Sequence, residues 1–161
     1  NAEDEERYAN IPNDEAFDFL ERNIPLFECP DQNFERTYYF RWWTFRKHIK
    51  ETPDGFVVTE FLPDVSWAGK HNTIACAAGH HFYEGRWLRD SQILADYAMF
   101  WFRRGGHPVK YSFWVADAIY QWCNVTGDYA PAVELLCNPT SYSNDSINPP
   151  PPTPSLMGRG K

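Results

Sequence analysis

The sequence predicts an all-α domain of about five or six helices, with one small β-hairpin after the second helix. Three observations carry this. Apolar residues recur at three- and four-residue spacing in separate segments of helical length. Proline and glycine stand between those segments as breaks. A β-branched run of strand character occurs at Phe56-Val57-Val58-Thr59-Glu60-Phe61.

The first fifteen residues are acidic and carry no periodic apolar face, so they read as an entry arm. Asn13 or Asp14 is placed to cap a helix over Glu15-Ala16-Phe17-Asp18-Phe19-Leu20, which Pro25 ends. Asp31 caps a longer helix running to Lys50, on which Phe34, Tyr38, Trp42 and Phe45 form one stripe and Tyr39, Trp43 and Arg46 another. Aromatics on both stripes imply cover on more than one side, with Arg41 and Arg46 bordering a cavity. Pro53-Asp54-Gly55 is a turn into the β-branched run, and Pro63-Asp64 closes it.

A helix is expected from Asn72 to Glu84, where Gly79 permits close approach of another backbone and Gly85 makes the break. The next runs from Ser91 to Arg103, buries Ile93, Leu94, Tyr97, Ala98 and Trp101, and stops at Gly105-Gly106. Another covers Ser112 to Cys123, and Thr126-Gly127-Asp128 supplies its turn and C-cap. Tyr129 to Leu136 begins a last helix. From Asn138 the chain turns to proline-rich sequence, NPTSYSNDSINPPPPTPSLMGRGK, which cannot build a packed core and is expected to be disordered or extended. The expected organisation is thus a helical domain over 1–137, incomplete as a fold, and a tail over 138–161.

Composition narrows the function classes. At 161 residues the chain fits one domain. Aromatic residues make up 17%, more than a core needs, which points to aromatic-lined surfaces or clefts. A net charge of −7 argues against nucleic acid, although Arg41-Trp42-Trp43-Thr44-Phe45-Arg46-Lys47 interleaves basic and aromatic residues. No apolar run approaches the ~18 residues a membrane span requires. Cys29, Cys76, Cys123 and Cys137 show no CxxC spacing, which disfavours zinc; Cys76 and Cys123 read as core thiols. Asn124-Val125-Thr126 and Asn144-Asp145-Ser146 are glycosylation sequons that matter only in a secreted protein, so the compartment stays open.

The densest chemistry lies in Trp67–Asp90, WAGKHNTIACAAGHHFYEGRWLRD, where three histidines, two tryptophans, a lysine, two arginines, a glutamate and an aspartate surround a small apolar run. A plain core would not tolerate the charges, and solvated surface would not need the tryptophans. A pocket for a polar, ring-shaped ligand fits, and sugar is the obvious candidate. A partly buried network of paired charges fits the same residues.

The motifs Tyr38-Tyr39-Phe40-Arg41-Trp42-Trp43, Trp67-Ala68-Gly69-Lys70-His71-Asn72, Gly79 to Asp90 and Ser112-Phe113-Trp114-Val115-Ala116-Asp117-Ala118 resemble those of the six-hairpin (α/α)6 glycosidases. Within these the chain is similar to glycoside hydrolases related to mannosylglycerate hydrolase and trehalase, over roughly residues 8 to 137. The resemblance implies a partial (α/α)6 barrel. The whole family fold has twelve helices in two rings, holds sugar at one end, and works by inversion with two carboxyl groups ~6.5–9.5 Å apart. Twelve helices with their connections need about 190 residues. The match therefore covers the opening half, and both family carboxylates are expected beyond Leu136. The chain by itself is expected to be inactive.

On that reading Trp67 and Trp87 stack on a sugar face. Lys70, Arg86 and Arg89 donate to hydroxyls, Glu84 or Asp90 accepts from them, and His80 and His81 position the ring. Tyr39, Arg41 and Trp43 join the substrate-binding set. Plainer alternatives stand beside these roles. His80 and Glu84 can pair along a helix for about 0.3–0.5 kcal/mol. Asp117 can bond a neighbouring tyrosine hydroxyl, Trp114 and Trp122 can be core, and Arg46-Lys47-His48 can be a solvated helix end. His71, His80, His81 and Glu84 lack HExxH order, so no metal is expected, nor any cofactor. Three functions remain: a glycosidase-derived domain, a non-catalytic sugar-binding or interaction module, and a truncated product without stable function. An incomplete barrel would leave an apolar flank that invites self-association.

Overall fold

The computed structural model describes residues 2–108 and 111–137. The tail expected over 138–161 lies outside them. The chain folds as α1 (Ala2–Tyr8), α2 (Ala16–Asn23), α3 (Gln32–His48), β1 (Ile49–Thr52), β2 (Gly55–Val58), a 3-10 turn (Lys70–Asn72), α4 (Ala75–Gly85), α5 (Gln92–Arg103), α6 (Val115–Thr126) and α7 (Ala130–Cys137). The all-α architecture with a single antiparallel hairpin is the one the sequence predicts. The hairpin pairs Ile49 with Val58 and Thr52 with Gly55, and it follows the helix that Asp31 opens.

Local chemistry explains most boundaries. Asp31 Oδ1 accepts the Asn33 N–H at 2.9 Å, satisfying a donor of the first turn of α3. That helix ends at His48 rather than Lys50, because Ile49 turns extended and enters the sheet. Gly55 sits at φ 96, which the tight turn demands and a side chain would resist. Gly127 closes α6 at φ 73 and returns its N–H to the Cys123 carbonyl at 2.8 Å. Both α4 and α6 start three residues later than expected, since Asn72 and Ser112-Phe113-Trp114 are spent on their lead-in segments.

The arm before α2 differs from expectation. It contains α1, and neither Asn13 nor Asp14 caps α2; Glu15 holds the cap position without a side-chain bond. Asn13 is committed to Arg46 instead. The Arg46 guanidinium is fully buried, donates to the carbonyls of Ile11 and Pro12 and to Asn13 Oδ1 (2.7 Å), and lies 4.8 Å from the Trp43 ring centre. Lys47 pairs with Glu5 of α1 at 2.5 Å. The Arg46-Lys47-His48 segment is thus an anchor for the arm, and the expected solvated helix end is corrected. Burial lowers the Arg46 pKa, while three acceptors keep the charge tolerable.

The core is built largely of aromatic rings. Trp42, Phe45, Phe82, Tyr97, Phe100, Trp101 and Trp122 are all buried, with Phe82 stacked on Tyr97 at 5.1 Å. α5 packs on β2, and α4 packs on α6. Gly79 makes the second contact close: a Cβ there would lie 2.2 Å from Trp114 Cε2. The close neighbour is a tryptophan ring, which corrects the expectation that another backbone would approach there.

Candidate carbohydrate-binding site

The connection from β2 to α4 is an irregular loop, and Asn72 organises it. Its side chain accepts from the Val65 N–H (3.0 Å) and donates to the carbonyls of Phe61 (2.8 Å) and Pro63 (3.0 Å) while 7% exposed. His71 and Asn72 take consecutive left-handed conformations, φ 56 and 60, a region asparagine tolerates better than most residues. The hairpin tip secures the other side. Asp54 Oδ2 lies 2.5 Å from both Lys70 Nζ and His71 Nε2, and these partners hold its carboxyl below the usual aspartate range. Lys70 also donates to the Arg104 carbonyl at 3.0 Å.

This bracing shapes a cavity of about 540 Å³ between the loop, the start of α4 and the end of α5. Glu60, Trp67, Lys70, Cys76, Trp101, His107 and Tyr111 are among its lining residues. Trp67 stands at 65% exposure with its edge against Phe61. Trp101 is buried, and its indole Nε1 has no hydrogen-bond partner.

Two further cavities adjoin. One of about 300 Å³ lies between α3, the end of β2 and α4, lined by residues that include Arg41, His48, Thr59, Glu60, His81 and Glu84. The other, about 350 Å³, is lined by Tyr38, Arg41, Trp42, His80, Tyr83, Glu84 and Trp87. Glu60 borders the first and second, while Arg41 and Glu84 border the second and third, so the three form a series. Arg41 grips Glu84 through two bonds of 2.8 and 2.5 Å, a fork geometry that also raises the arginine pKa. This pair takes the place of the expected His80–Glu84 contact, because His80 turns its ring edge-on to Trp114 at 4.8 Å. His81 is half-buried beside Tyr97, whose hydroxyl lies 3.1 Å from Nδ1, and desolvation depresses its pKa to about 3. It is neutral at ordinary pH. Tyr83 donates to Asp117 at 2.9 Å, the plainer of the two roles open to that aspartate.

The expected substrate-binding residues therefore divide. Trp67 and Lys70 line the large cavity; Arg41, His81 and Glu84 line the middle one; His80 and Trp87 line the third. Arg86 lies over the rings of Tyr83 and Trp87, at 4.7 and 5.3 Å. Arg86 lines none of the three cavities, and three other members also fall outside the series. Tyr39 exchanges hydrogen bonds with the Phe27 backbone, Trp43 is covered by Arg46 and Lys47, and Asp90 Oδ1 receives the Gln92 N–H at the start of α5. Arg89 bonds carbonyls at the end of α2. Trp67 and Trp87 line different cavities, so the single aromatic wall expected between them is replaced by two separate faces.

Sequence reasoning passed over Glu60, His107, Tyr111 and Trp101 on the large cavity, and His48 and Thr59 on the middle one. Tyr111 carried a findable signal, following glycines and a proline in a stretch read as a break; Thr59 and Glu60 sat in a run read only for strand character. Among the described residues no group of three or more His, Cys, Asp or Glu side chains is placed to hold a metal, and no helix is long and apolar enough to cross a membrane.

The comparisons with known proteins point to glycoside hydrolases. Residues 70–140 match the family model described as the mannosylglycerate hydrolase MGH1-like glycoside hydrolase domain. A solved structure named "Sialidase" superposes with a TM-score of 0.74 at 44% identity, covering 83% of this chain. The alignment spans 14% of that longer protein. No curated protein matches the chain.

Proposed function

We propose that this chain supplies one wall of a carbohydrate site in a glycoside hydrolase domain, and that residues 1–161 alone do not hydrolyse a glycoside. The large cavity carries the reading. Its exposed Trp67 offers an aromatic face to the C–H face of a pyranose, and Glu60 and His107 bring polar groups to the same space. Lys70 serves mainly to brace the loop, since Asp54 and the Arg104 carbonyl occupy its ammonium. The resemblance expects the two reacting carboxyl groups beyond Leu136, so binding and turnover separate in this chain.

The family description and the structural relative's name point to different sugars, so the substrate is an oligosaccharide or small glycoside of unspecified residue. A nitrophenyl glycoside panel that includes a mannoside and a sialoside should show no turnover, while sugars at millimolar concentration should quench tryptophan fluorescence. Trp67→Ala should weaken that binding at least tenfold, about 1.4 kcal/mol. Hydrolysis of any panel member by the purified chain overturns the inactive reading, and binding indifferent to Trp67 overturns the assignment of the cavity. A non-catalytic sugar-binding module is the second reading, favoured by the same cavity; retention of binding by any longer natural form that also lacks turnover would select it.

A further inference from the structure

We propose that the middle cavity, between α3, the end of β2 and α4, is a second ligand compartment that takes a neutral hydroxylated group through Thr59 Oγ1 and His48 Nδ1. The proposal deepens the carbohydrate reading, because Glu60 borders this cavity and the large one alike. A ligand with two hydroxylated units would place one in each, with the Glu60 carboxylate at the junction.

Two unpartnered polar atoms motivate the assignment. Thr59 is 1% exposed and its hydroxyl has no hydrogen-bond partner. His48 Nδ1 is likewise buried and unpartnered, although the imidazole keeps a hydrogen-bonding contact with the Thr59 backbone, and both residues line this cavity of about 300 Å³. Folding rarely leaves two such groups beside one cavity without something to satisfy them. A hydroxyl on threonine both donates and accepts, as does a neutral imidazole across its two nitrogens, so the pair suits a ligand hydroxyl that does both. Both atoms are closed to solvent in this structure, so the proposal requires a change of rotamer at Thr59 and at His48 that brings them to the cavity surface.

Charge excludes the alternatives. Arg41, the cavity's guanidinium, is already held by both oxygens of Glu84 and offers little to an anion. Burial keeps His48 and His81 neutral at ordinary pH, so neither imidazole adds positive charge. Phe40, Phe45 and Val58 supply apolar walls suited to the C–H faces of a polyol or sugar. A small neutral ligand with hydroxyls on one edge and C–H on the other fits this lining.

The test is an amide and imidazole NMR titration of the purified chain with methyl α-glucoside and with glycerol, and with acetate as the charged control. Both neutral probes should shift the Thr59 and His48 signals in a saturable way, and acetate should not. Thr59→Val removes the hydroxyl at nearly constant volume; it should raise the melting temperature of the free protein and weaken glycerol at least tenfold. Thr59→Ser should bind as the parent does. Signals at Thr59 and His48 that stay still while those of Trp67 move leave the large cavity standing and overturn this proposal, the middle cavity then holding water alone. Unchanged glycerol affinity in Thr59→Val, or saturable shifts with acetate, overturns it too. If Trp67 also stays still, the carbohydrate reading itself has failed.

Discussion

His81 shows how burial decides a residue's chemistry. Its motif, two histidines beside a glutamate, suggested charged or hydrogen-bonding work on a sugar, yet the half-buried ring sits against Tyr97, with desolvation and the nearby imidazoles of His48 and His80 holding its pKa near 3. An unfolded chain has that imidazole at about 6.5, so between those values the unfolded state binds more protons. Stability is therefore complete above pH 6.5 and falls as pH drops toward 3, and His48, also depressed by burial, acts in the same direction. Between pH 6.5 and 5 the carboxylates stay ionised, so the decline in that window belongs to histidine. Circular-dichroism melts should show a constant midpoint from pH 8 to 7, a falling one below 6.5, and a flatter profile in His81→Gln. The types of residue at the site were legible; their partners were not. Glu84 was read as an acceptor for sugar hydroxyls or, more plainly, as a partner for His80, since four-residue spacing advertises a helix pair, whereas Arg41 approaches from another helix with a stronger fork. The loose ends at Thr59 and His48 are properties of packing, and no local pattern announces a missing partner.

At the scale of elements, the loop between β2 and α4 decides whether there is a site at all. It has little regular structure, so the three hydrogen bonds of the Asn72 amide do the work that a ladder of backbone bonds does elsewhere. Asn72→Ala removes all three and leaves a β-carbon in a left-handed conformation without the asparagine's compensation. The expected loss is about 2–4 kcal/mol, from buried hydrogen bonds of roughly 1 kcal/mol each and added backbone strain. Urea unfolding measures it, and sugar quenching of Trp67 should vanish even at temperatures where the mutant remains folded. Asn72→Asp keeps the acceptor for the Val65 N–H but sets a carboxylate oxygen against the Phe61 and Pro63 carbonyls, so it should destabilise at least as much as alanine. The sequence reading put Asn72 at the head of α4, because helix entry is the commonest use of an asparagine before an apolar run. Caps and breaks governed by short-range chemistry, at Asp31, Gly55 and Gly127, were legible for the same reason that this loop was not: its bonds reach back as far as Phe61.

For the whole molecule, the aromatic excess is divided between core and surface. Trp42, Phe82, Tyr97, Trp101 and Trp122 are buried, while Phe17, Leu26, Phe34 and Phe40 on or beside α2 and α3 are each more than 60% exposed. Monomeric proteins seldom carry many large exposed apolar side chains close together in sequence without covering them. Sedimentation should accordingly show self-association that increases with concentration, and Phe34→Ser with Phe40→Ser should reduce it; a strictly monomeric parent at every concentration refutes this. The fold class was legible because helical spacing and turn residues are local. How the helices meet was not, and the Gly79–Trp114 contact shows why: glycine signals room for a neighbour without saying which one.

The anchor at Arg46 bears on how the gene is cut for expression. Deleting everything ahead of Glu15 would leave the second helix and the whole aromatic interior intact on paper, yet would strand a cation with no oxygen near its forks. Such a shortened protein should precipitate or melt far below the parent, and substituting methionine for that arginine should recover much of the loss. Upstream residues with no apolar pattern are, in this protein, a strap that the interior was built to receive.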